Sequence, residues 1–158
     1  MKKITFILLA LISGTAFAQE KATGTAQASA DIVSPITIEG QEDLNFGKVA
    51  NNTAGTVVIA TDGSASGLSQ IGTTTPKAAT FDVTAANGYA YSVTLPTTVT
   101  LKSGDDEISV DSFTDNAGAN PTGSGGIQTI GVGATLTVAN GQATGNYTGE
   151  FQVTVSYE

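Results

Sequence analysis

The 158 residues contain no cysteine, no histidine and no tryptophan, and every basic residue is a lysine. Each gap removes a class of chemistry. Without histidine or cysteine there is no Ser-His-Asp or Cys-His nucleophile, no thiolate and no zinc site of the usual ligand type. The glycine-rich stretches do not restore one. Gly63-Ser64-Ala65-Ser66-Gly67 lacks the serine midway between two glycines that a nucleophile elbow needs. Gly123-Ser124-Gly125-Gly126 lacks the Gly-Lys-Ser/Thr ending of a phosphate loop. Two carboxylates alone can hydrolyse a glycoside, but such clefts usually add aromatic platforms, and the Phe and Tyr residues here fall mostly at strand parity. The expectation is a non-enzymatic protein with no cofactor and no bound metal. With no disulfide available, stability must come from an apolar core and a backbone ladder.

The first residues have the layout of a secretory signal. Lys2 and Lys3 form a basic start, residues 4–12 an apolar run, and Ala16-Phe17-Ala18 a small-x-small cleavage site. The mature chain is expected to begin at Gln19 and to leave the cytoplasm. The apolar run is too short for a membrane span, and no later segment matches its length, so no membrane span is expected. With no cysteine at the cleavage site, no lipoprotein anchor is expected. Loss of Lys2 and Lys3 leaves four lysines against fourteen acidic residues, a net charge of −10. Such a surface repels phosphate backbones, so nucleic acid is not an expected partner. The 140 residues after the leader suit one domain that buries roughly two-thirds of its unfolded surface.

What is present is strand pattern. Apolar residues recur with period two, turn residues punctuate the chain at sandwich spacing, and no useful stretch has a helical period. This predicts an all-β sandwich of nine or ten short strands. From Ala22 the small residues Ala22, Gly24, Ala26, Ala28 and Ala30 alternate with polar ones, and Ser34-Pro35 interrupts the run before Ile36 and Ile38 resume the parity. Residues 19–38 are therefore either an extension or the first strand, and residues 39–158 are the sandwich. Further strands are expected at 44–49, 56–60, 99–101, 108–113, 127–132 and 134–138. Residues 39–43 read as an acidic turn and 62–67 as a mobile loop. Phe81 and Val83 before Asn87-Gly88, with Tyr89, Tyr91, Val93 and Leu95 after it, read as a hairpin.

Asp105, Asp106, Glu107, Asp111, Asp115 and Asn116 are the densest group of oxygen ligands. Their spacing matches no EF-hand loop, and strand alternation sends Glu107 and Asp111 to water. They are assigned to a solvated acidic face rather than to calcium.

The chain ends on Gly145-Asn-Tyr-Thr-Gly-Glu-Phe-Gln-Val-Thr-Val-Ser-Tyr-Glu. Phe151, Val153, Val155 and Tyr157 share one parity and polar residues the other, the pattern of a half-buried strand. A flat β-branched and aromatic strand with a free edge invites another strand to pair. With Gly145 fourteenth from the end, Tyr157 penultimate and alternation between, this stretch resembles the C-terminal signature of chaperone–usher pilins. Leu44-Asn45-Phe46-Gly47 and Tyr147-Thr148-Gly149 also resemble an uncharacterised family of secreted, fimbria-like bacterial proteins. The resemblance implies an immunoglobulin-like Greek-key sandwich completed by a strand from another chain. Its implied partners are a periplasmic chaperone and like subunits, in a pilus or coat at the cell surface with a role in adhesion. It implies a partner-strand groove at Gly145, Tyr147, Phe151, Val153, Val155 and Tyr157, and a donor strand carrying Ala22, Gly24, Ala26, Ala28 and Ala30. This chain lacks the disulfide that many pilins carry. Two other readings stay open: those terminal residues pack inside a complete sandwich, or the protein is a free-standing secreted module that binds a carbohydrate or protein ligand, at a host or other surface, through its loops.

Overall fold

The computed structural model describes residues 21–158, so the expected signal peptide, residues 1–18, and the first two residues of the expected extension lie outside it. Two units are distinguished, ending and beginning at Asp31 and Ile32. Within the first, residues 21–31 form no strand and their side chains are exposed. The second, residues 32–158, is all-β, with no helix among the described residues.

Its strands are β1 (Thr37–Glu42), β2 (Gly55–Ile59), β3 (Ala65–Gly67), β4 (Ala79–Thr84), β5 (Tyr91–Thr94), β6 (Thr98–Ser103), β7 (Asp106–Asp115), β8 (Ile127–Val138) and β9 (Thr154–Tyr157). Every pairing is antiparallel. A seven-stranded sheet runs β1-β4-β8-β2-β3, with β7 and then β6 attached to β8. The second sheet holds β5 and β9 alone. Together they make a sandwich whose two layers differ greatly in width.

Strand β8 organises the wide sheet. Its first half pairs with β4, its second half with β2, and β7 takes its other edge. The even positions Ile130, Val132, Ala134, Leu136 and Val138 are buried. The sequence pattern suggested two strands here, and the structure joins them through Gly133. Gly131 and Gly133 are needed because the chain leaving β2 crosses directly over them: a Cβ would strike the Thr61 and Ile59 carbonyls. Glycine inside a strand marks such a close backbone approach.

Apolar residues form two clusters. Cluster 1 centres on Val57, Ile59, Val110, Ala134 and Leu136, with Leu101 and Tyr147 against it. Cluster 2 centres on Ala79, Val83, Ala85, Tyr91, Ile130 and Val132. Phe113 touches both. It reaches them because β7 is bulged between Asp111 and Thr114, with Ser112 at a φ of 52°. The bulge shifts the buried parity from Ile108 and Val110 to Phe113, which is the usual effect of one extra residue.

Several local expectations are corrected. Phe81 and Val83 do not form a hairpin with Tyr91 and Val93. Asn87-Gly88 does turn, with Tyr89 N donating to Ala86 O at 3.2 Å, but Gly88 N bonds Gly123 O at 2.8 Å and the arms diverge into different sheets. Both arrangements bury the same parity, so alternation cannot separate a hairpin from an arch whose arms face each other across the core. Residues 62–67 are not a loose loop: Asp62 accepts from Ser64 N at 2.9 Å, Gly63 takes a φ of 83°, and β3 pairs with β2. The expected strand at 44–49 is reduced to isolated bridges at Asn45 and Val49, since Gly47 turns at a φ of 77° and Asn45 Oδ1 accepts its N–H at 2.7 Å. Of the expected acidic turn at 39–43, residues 39–42 lie in β1, which begins at Thr37, so the alternation from Ala22 to Ala30 does not belong to that strand.

Gly133→Ala is expected to lower stability by about 3 kcal/mol, because backbone rather than a flexible side chain must move. Urea unfolding of the variant beside the parent checks this; an unchanged midpoint would refute the crossing as the reason for the glycine.

Candidate strand-addition edge

Strand β9 owes its form to alternation of Val and Tyr with Thr and Ser, residues that favour a pleated, half-buried surface. It pairs with β5 in the register Tyr91↔Tyr157, Ser92↔Ser156, Val93↔Val155 and Thr94↔Thr154. Glu158 N donates to Ala90 O at 3.3 Å, while Tyr91 N points the other way, to Pro121 O at 2.9 Å. The even positions of β9 therefore direct their backbone groups at β5. The N–H and C=O of Val155 and Tyr157 project from the opposite edge, which pairs with no strand among the described residues. Strand β1 comes within 8 Å of β9 but forms its ladder with β4.

The same odd positions turn their side chains inward. Phe151, Val153, Val155 and Tyr157 are half-buried on cluster 2, while Gln152, Thr154, Ser156 and Glu158 are exposed. Phe151 meets Phe81 edge-on at 6.1 Å and Phe113 at 5.2 Å between ring centroids. Cluster 2 is poorly covered: twelve of its hydrophobic members are partly exposed against six that are buried, whereas cluster 1 has six against nine. A two-stranded layer is too narrow for the sheet beneath it.

Tyr157 holds three segments together. Its hydroxyl accepts from Ala86 N at 2.7 Å and donates to Ser34 O at 2.9 Å. It thus ties the end of β9 to the β4–β5 crossover and to the entry of β1. Its ring meets Tyr89 edge-on at 6.1 Å.

Gly145 and Tyr147 are elsewhere. The segment around Thr148 closes the outer edge of β6, with Lys102 N donating to Thr148 O at 2.8 Å and Thr148 N to Lys102 O at 2.9 Å. Gly145 lies against Ser103 and Gly149 against Leu101, too close for a Cβ at either position. Tyr147 packs on cluster 1, its hydroxyl donating to Ala143 O at 2.8 Å and accepting from Gln142 Nε2 at 2.9 Å. The six expected groove residues therefore serve two places, with the four from Phe151 onward at the β9 edge. Glycines at 145 and 149 were the signal that this segment presses against another strand. The expected donor residues Ala22, Gly24, Ala26, Ala28 and Ala30 are exposed and in no strand.

The acidic residues 105–116 have separate tasks. Glu107 pairs with Lys102 at 2.6 Å, Asp111 accepts from Ser112 Oγ at 2.8 Å, Asp115 from Ala117 N at 2.9 Å, and Asn116 Oδ1 from Gly131 N at 2.8 Å. Among the described residues no three acidic side chains converge as a metal site would require. A shallow cleft of about 410 Å³ lies apart from the β9 edge, lined in part by Glu42, Asp62, Lys77 and Thr80. Lys77 pairs there with Glu42 at 2.8 Å. The Ser64 hydroxyl and backbone N–H hold the Asp62 carboxyl below its usual range.

A family model described as a domain of unknown function, DUF4402, matches residues 36–157. The chain belongs to the DUF4402 family. No curated protein and no solved structure matches it. The DUF4402 match starts at Ile36, one residue ahead of β1, and runs to Tyr157, so it spans the sandwich and leaves residues 21–35 outside.

Tyr157→Phe should cost about 1–3 kcal/mol, since it leaves Ala86 N–H without its acceptor while the ring still packs. Thermal unfolding checks this, and a change within error would deny the clamp. Tyr91 provides a pH test. Burial, and then the Asp115 charge, raise its pKa above the usual 10.0. The folded state therefore favours the protonated phenol, giving stability that is present below the unfolded pKa and lost as pH rises through the folded one. Denaturation midpoints should fall above about pH 10, and Tyr91→Phe should flatten that fall; an equal fall in both would assign it to other groups.

Proposed function

We propose that this DUF4402 protein is a non-enzymatic structural subunit of a bacterial surface filament or coat, exported through the periplasm and assembled by β-strand complementation. The supporting observation is the β9 edge: backbone groups at Val155 and Tyr157 that pair with no strand among the described residues, beside an apolar cluster whose rim is half-buried. An added strand would satisfy the ladder and cover the cluster in one step, as in other β-augmentation complexes. Residues 19–31 of a neighbouring copy are the proposed donor. Their alanine methyls contribute little, about 3 kcal/mol for four at ~0.8 kcal/mol each, so backbone hydrogen bonds at about 1 kcal/mol net apiece carry much of the attachment. The resemblance of the C-terminal stretch to chaperone–usher pilins supports the same reading, with a periplasmic chaperone as the first occupant of the edge.

The cleft beside Asp62 and Lys77 favours a second reading, a secreted module that binds a polar ligand such as a saccharide. Grafting residues 19–31 after Glu158 through a short flexible linker separates the two. An intramolecular donor sees an effective concentration of order millimolar. The graft is expected to raise the melting temperature by roughly 5 °C or more and to keep the protein monomeric at concentrations where the parent associates. A parent that is already a stable monomer, unchanged by the graft, would leave the binding-module reading in its place.

A further inference from the structure

Ile32 is the most exposed large hydrophobic residue described, at 93%, and Val33 beside it is 37% exposed. They are the first residues of the second unit, just ahead of Ser34, whose carbonyl is held by the Tyr157 hydroxyl. Ile32 thus lies two residues from the contact that ties Ser34 to the end of β9. A lone exposed aliphatic side chain is ordinary on a protein surface. This one differs in position. In sequence it has the even parity of Ala22, Gly24, Ala26, Ala28 and Ala30, and it is the only large apolar residue of that parity between residues 22 and 32. The next apolar residues of the same parity, Ile36 and Ile38, pack on cluster 2 of their own chain.

Two copies of an acidic chain repel each other, and salt screens that repulsion only beyond about 8 Å at physiological strength. Contact between them must therefore come from apolar burial and ladder bonds. We infer that Ile32 is the apolar anchor at the junction between successive copies: its side chain is covered by the half-buried rim of cluster 2 on a second copy, at Phe151, Val153 and Phe81. The alanines before it supply hydrogen-bonded backbone with small side chains, and Ile32 supplies the burial they lack. This rests on the strand-complementation reading, and it names the residue that sets the strength of that contact.

The test compares the full mature chain with its Ile32→Ser and Ala26→Ser variants. Sedimentation over a range of protein concentrations measures self-association, and thermal unfolding measures the fold of each. Ile32→Ser should weaken self-association by about 10-fold or more, as expected when one large aliphatic group is no longer buried, and Ala26→Ser should do much less. Melting temperatures should be unchanged, because Ile32 is exposed in its own chain. Equal association of Ile32→Ser and parent would overturn the anchor while leaving strand complementation standing. A clear drop in melting temperature for Ile32→Ser would overturn it too, by placing the side chain in its own fold. A parent that stays monomeric throughout would remove the complementation reading and the anchor together.

Discussion

Hydrogen bonding along both edges of β8 is the constraint on which the other elements depend. A central strand of this length must satisfy donors and acceptors on two sides, and here β7 takes one side while β4 and β2 divide the other. That division forces the chain beyond β2 across the face of β8, which only the Gly131 and Gly133 positions permit. The same sheet then presents one long buried row, Ile130 to Val138, to whatever covers it. The bulge at Ser112 lets β7 follow the sheet and carry Phe113 between the two apolar clusters.

That row is covered unequally along its length. Over cluster 1 the loops, Leu101 and Tyr147 complete the layer, and the segment around Thr148 closes the β6 edge. Over cluster 2 there are two short strands, and the last of them has backbone groups turned outward beside half-exposed Phe and Val side chains. A protein of this size without disulfides has few ways to tolerate such an edge, and a second chain is one of them. Tyr157 keeps the edge in register from within, joining β9 to the crossover after β4 and to the entry of β1.

Much of this was legible in the residues. Alternation and turn spacing were sufficient for the all-β class and for the inward parity of Phe151, Val153, Val155 and Tyr157, because side-chain direction along a strand is a local property of the backbone. Strand partners were less legible. Phe81 and Val83 looked paired with Tyr91 and Val93 because Asn87-Gly88 does make a turn, and parity is the same whether two arms share a sheet or oppose each other. Gly145 and Tyr147 looked continuous with Phe151 to Tyr157 because they are adjacent in the chain, yet they press on β6 and cluster 1.

Composition and near-neighbour pattern account for the lack of thiol and imidazole groups, the acidic charge, the strand class and the inward parity of regular stretches such as Phe151 to Tyr157, all of which depend on residue type or on neighbours one or two residues away. Which strands pair, where β7 bulges, how unequal the layers are and that the outer edge of β9 has no partner among the described residues came from the folded chain. Those are matters of long-range hydrogen bonding. A backbone N–H or C=O carries no residue identity, so its partner is chosen by how the whole core packs rather than by the letters on either side of it.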